Sequence, residues 1–116
     1  QRMEKVDQHK RIVKSVVEEI YAMIPVDEQI ETQLIEDDMH GHYLLNAVGW
    51  LNDTYRELNS FLHLDVKPDG KVWIQHDGTD QKVALMLVEK GIDKSDIVLA
   101  FHAPHRRELI SEFAQG

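Results

Sequence analysis

The stretch LHLDVKPDGKVWIQHDGT, running from Leu62 to Thr79, decides the fold. Apolar Leu62, Leu64 and Val66 alternate with His63 and Asp65, and beyond Pro68-Asp69-Gly70 the two-residue period resumes with Val72 and Ile74 against Trp73 and Gln75. Two alternating runs around such a turn specify a β-hairpin. Pro68 presets the first corner of a type I turn, Asp69 suits the second, and Gly70 accepts the positive φ of a G1 bulge, so Lys67 faces Lys71. Counting outward pairs Val66 with Val72, Leu64 with Ile74 and Leu62 with His76. One face is then apolar and includes His76, which is expected to be buried and bonded to backbone. The other carries His63 and Asp65 opposite Gln75 and Trp73, facing solvent, a second helix layer or a partner.

Outward from the hairpin, Ile12, Val13, Val16, Val17, Ile20 and Ile24 recur at helical spacing and predict an amphipathic helix from about Met3 to Met23, ended before Pro25. Ile30 to Glu36 and Tyr43 to Leu51 read as strands joined through His40-Gly41. Asn52-Asp53 turns into a third strand near Phe61, with Thr54 to Asn59 ambiguous. After Asp77-Gly78, Thr79 is placed to cap a second helix that runs to Lys90, stops at Gly91 and is apolar almost all round, hence buried. Ile97 to Phe101 gives a short strand before a charged tail. The pattern predicts one α+β domain over residues 1–116: a leading helix, an antiparallel meander of about four strands, a buried helix, and a short C-terminal strand and tail.

With 116 residues the chain suffices for one core. It has no cysteine, which excludes disulfides, thiolate metal sites and cysteine nucleophiles, and no apolar run long enough for a membrane span. Without a signal pattern after Gln1, it is expected to be cytoplasmic. The net charge of −8 opposes sequence-independent DNA binding. Six acids between Asp27 and Asp38 have no Lys or Arg among them and suit a solvated strand edge that resists pairing with another chain.

No phosphate-binding glycine loop, nucleophile elbow or HExxH helix is present, and no catalytic residue, cofactor or metal site is expected. His40-Gly41-His42 lacks a third ligand that spacing fixes. His63 and Asp65 read as a structural polar pair, and Trp73 and Trp50 as layer packing. Residues that offer partner contact are Trp73, His63 and Asp65 on the second face of the hairpin, and Arg106 and Arg107 in the basic tail. The plainer reading of the tail packs Leu109 and Phe113 on the core and leaves both arginines in water. An enzymatic alternative would use Asp53, Asp65 and Lys67 as the acid-and-lysine set of a metal-dependent nuclease or other hydrolase.

The hairpin block, with Val48-Gly49-Trp50 before it and Asp96 to His102 after it, closely resembles the fdxN element excision controlling factor family, the XisI-like proteins. In that family the position of Ala100 is typically Gly, and Ala103-Pro104 is often Pro-Pro. The resemblance implies a non-enzymatic accessory factor for programmed, site-specific excision of a DNA element in cyanobacteria. In that family the gene commonly accompanies a XisH-like protein that itself resembles an endonuclease, and because a net charge of −8 fits a DNA-linked role only through another protein, the two are expected to form a complex, with the recombination machinery engaged indirectly. An amphipathic sheet face bearing Trp73 is in addition compatible with a homo-oligomer.

Overall fold

The computed structural model describes residues 2–107 and 113–114. Helix α1 (Arg2–Met23) is followed by strands β1 (Ile30–Asp37), β2 (His42–Leu51), β3 (Tyr55–Val66) and β4 (Val72–Asp77), helix α2 (Val83–Glu89), strand β5 (Ile97–Leu99) and a short helix α3 (Pro104–Arg107). The strands form one sheet in chain order, antiparallel from β1 to β4, with β5 parallel to β4. The expected α+β architecture is thus present, and α2 supplies the crossover that a parallel pair requires. Among the described residues, no helix is long and apolar enough to cross a membrane.

The apolar stripe of α1, Val13, Val16, Val17 and Ile20, is fully buried against Tyr43, Leu45, Leu62, Leu64, Val72 and Ile74 on one face of the sheet. Each such aliphatic side chain contributes about 1.5–3 kcal/mol on leaving water. The start of α1 is pinned at two places: His9 Nδ1 lies 2.6 Å from the Gly70 carbonyl oxygen in the hairpin turn, and Lys5 forms a 2.9 Å ion pair with Asp96, just before β5. The hairpin turn forms as read, with Gly70 at φ 90°, Lys67 N–H donating to Lys71 O, and Val66 and Leu64 opposite Val72 and Ile74. Asn52 and Asp53 both adopt positive φ, as a tight turn between β2 and β3 requires.

Two single-residue bulges alter the expected register. In β4, Leu64 faces Ile74 but His63 faces His76, so Gln75 is the extra residue and Leu62 pairs with Asp77. His76 is therefore exposed, not buried beside Leu62 as the uninterrupted count had it. Asp77 takes its place opposite Leu62, where its carboxylate accepts from the Val83 backbone N–H and from both the N–H and hydroxyl of Thr79. This corrects the expected helix start: Asp77 serves the N-terminus of α2, which begins at Val83, and Thr79 only braces the turn. In β3, Ser60 faces Asn46 but Leu62 faces Leu45, so Phe61 is the extra residue.

Further corrections concern side chains. In α2, Val83 and Leu87 are buried, but Leu85 is 48% exposed, so the helix presents one face to the core. Trp50 is 50% exposed rather than packed in a layer, because strand alternation directs it to the side of the sheet opposite α1; the Arg56 guanidinium lies 5.5 Å from its ring centre. Phe113 does pack against the core, whereas Leu109 lies outside the described residues.

Candidate functional site

The sheet face turned away from α1 carries the polar residues of interest. Alternation sets His63 and Asp65 of β3, His42 of β2 and Gln75 of β4 on this side. Counted back from the Asn52-Asp53 turn, His42 would stand opposite Leu64. The Phe61 bulge slips the pairing by one residue and puts it opposite Asp65.

The result is a convergent cluster. His42 Nδ1 lies 2.7 Å from Asp65 Oδ1, His63 Nε2 lies 2.9 Å from the same oxygen, and the Gln75 amide donates to Asp65 Oδ2 at 3.1 Å. Asp65 is 5% exposed. Burial raises its carboxyl pKa, but bonds from His42 and Gln75 and the proximity of His63 outweigh that, holding the carboxyl below its ordinary value. The expected His63–Asp65 pair is thus present, with two further members that sequence spacing did not disclose. His42 was invisible to that reading because its partner lies 23 residues away across a bulged strand pair.

Trp73 stands opposite Asp65 in the register, half-buried, with the Lys67 ammonium and the Arg107 guanidinium each 5.4 Å from its ring centre. Arg107 is not left in water: its Nε donates to His102 O at 2.9 Å and its Nη2 to Ala100 O at 3.3 Å. The α3 turn that follows Pro104 folds this side chain back over β4. Arg106 is exposed. Asp53 sits in the β2–β3 turn, roughly 30 Å along β3 from Asp65, so the Asp53, Asp65 and Lys67 set is not assembled. His40 is held by Asp37 at 2.9 Å instead of joining Asp65, although its ring stacks near that of His42 at 6.4 Å.

Three of the six acids, Glu31, Glu36 and Asp37, lie on β1, an edge strand; Glu31 is exposed as expected for a solvated border, whereas Glu36 and Asp37 are half-buried. At its end Asp38 accepts from Tyr43 at 2.7 Å and pairs with Lys14 of α1 at 3.0 Å. Those two bonds hold the Asp38 carboxyl below its ordinary pKa, while burial and Asp38 push the Tyr43 phenol up. Next to them, burial raises the Glu36 carboxyl to about 7, with the neighbouring Glu18 carboxylate adding to the rise.

Comparison with known proteins gives concordant results. Residues 3–115 match the family described as XisI protein. A XisI-like protein from Anabaena variabilis ATCC 29413 superposes with a TM-score of 0.86 at 32% identity, covering 94% of this chain and 98% of its own. The fdxN element excision controlling factor XisI from the same organism superposes with a TM-score of 0.84 at 27% identity, covering 97% and 99%. Among curated proteins none matches.

Proposed function

The chain belongs to the XisI family, and on that footing we propose that it is a non-catalytic accessory factor in the programmed, site-specific excision of a DNA element, acting in the cytoplasm by gripping another protein. The observation that carries this reading is the match over nearly the whole chain, together with a fold shared with an fdxN element excision controlling factor.

Action through protein contacts is supported by two properties of the molecule. A net charge of −8 repels a phosphate backbone. The sheet face opposite α1 leaves Trp50 and Leu58 at 50% and 66% exposure, the aromatic and aliphatic material that anchors protein interfaces. We take the partner to be the XisH-like, endonuclease-like protein, with contact through this face around Trp73 and His63 and through Arg106, while Asp65, 5% exposed, supports His63 from beneath and Arg107 holds the tail against Trp73.

The test is coexpression with the XisH-like protein from the same genome. Co-elution on gel filtration at moderate salt is expected, and its loss in Trp50→Ala/Leu58→Ser with the fold intact by circular dichroism. Separate elution of the two wild-type proteins would refute the pairing, and cleavage of plasmid DNA by the isolated chain with Mg²⁺ or Mn²⁺ would refute the non-catalytic role.

A further inference from the structure

Imidazole nitrogens from two adjacent strands aim at a single carboxylate oxygen, and the donor atoms of His42, His63 and Asp65 all lie within 4.8 Å of one another. We propose that these three residues bind a divalent transition-metal cation, with Zn²⁺ as the reference species.

The donor chemistry fits. Two neutral imidazoles and one carboxylate are the ligand set of many three-residue sites that leave a coordination position open. Ligands at about 2.0–2.2 Å around a tetrahedral ion stand about 3.3 Å apart. The 2.7 and 2.9 Å contacts therefore widen by about half an ångström as the ion replaces the shared protons.

The surroundings fit as well. Gln75 occupies Asp65 Oδ2, which leaves Oδ1 for the ion and fixes the carboxylate plane, as outer partners of metal ligands do. The Asp65 side chain is 7% exposed and forms a dry inner wall, whereas the His42 side chain is 47% exposed and gives the ion a route in from solvent. The carboxylate sits in a strand with its flanking residues Leu64 and Val66 buried in the core, so the site is built on rigid backbone. The proposal does not depend on the excision role.

The test uses metal-stripped protein, titrated with Co²⁺ under visible absorption spectroscopy and with Zn²⁺ in a calorimeter. One saturable equivalent is expected, with ligand-field bands that Zn²⁺ abolishes. His42→Ala and His63→Ala should each eliminate the tight equivalent, and Gln75→Ala should weaken it by about 10- to 100-fold. His76→Ala, on the same strand but outside the cluster, should leave uptake unchanged. His42 is exposed enough for its alanine variant to fold, which circular dichroism verifies independently of metal. Absence of a saturable equivalent in the wild type, or undiminished uptake in either His42→Ala or His63→Ala, would overturn the proposal.

Discussion

Gly41, between β1 and β2, has φ 75°, and a Cβ there would overlap the carbonyl oxygen of Val66, the strand end to which Gly41 O is bonded through Val66 N–H. Gly41→Ala should therefore cost at least about 2 kcal/mol, read as a drop in the urea midpoint. Glu36 makes a second prediction. Its carboxyl titrates near 7 in the fold against 4.5 ordinarily, so the folded chain holds the proton more tightly across that window. Stability should accordingly fall as pH rises from about 4.5 to about 7, and Glu36→Gln should flatten that decline in melting curves taken between about pH 5 and pH 8. An identical slope in both proteins would contradict it. Neither feature of Glu36 was visible in the sequence, where it read as one acid in a solvated run. The crowding arises because α1 brings Glu18 over the end of β1, where the charge of Lys14 only partly offsets it, a tertiary fact. The pairing of His63 with Asp65, by contrast, followed directly from their i, i+2 spacing on one strand face.

At the scale of elements, α2 offers a paired prediction. Leu87→Ala should cost about 2–5 kcal/mol, since that side chain is fully buried, whereas exposed Leu85→Lys should stay within about 0.5 kcal/mol. Equal costs would show that the helix is enclosed on all sides, as its unbroken apolar run suggested. The run misled because seven residues make barely two turns, and a helix that short against one sheet face has room to bury only one stripe. The hairpin was legible because a proline-glycine turn fixes local register without help from distant parts. Its correct reading ends at Ile74: a bulge adds a residue without leaving any mark in the alternation before it, so the uninterrupted count puts His76 on the wrong side. The same limitation hid His42, whose place opposite Asp65 depends on Phe61.

For the whole molecule, charge and surface set the expectations. With a net charge of −8, the isolated chain should not shift a labelled DNA duplex at about 0.15 M salt, and tight binding under those conditions would contradict the protein-contact reading. The neighbourhood of Arg106 is too small to reverse that field, and Arg107 is engaged with Trp73 and backbone carbonyls. The extra residues at Phe61 and Gln75 have a different consequence. Losing either codon would leave plain alternation behind, since Ser60 and Leu62, like Ile74 and His76, already point to opposite sides of the sheet. In-frame deletion at Phe61 or Gln75 should therefore be milder than loss of a regularly paired neighbour such as Leu64 or Trp73, which would turn the residues beyond it inside out, and a deletion library should show that contrast within β3 and β4.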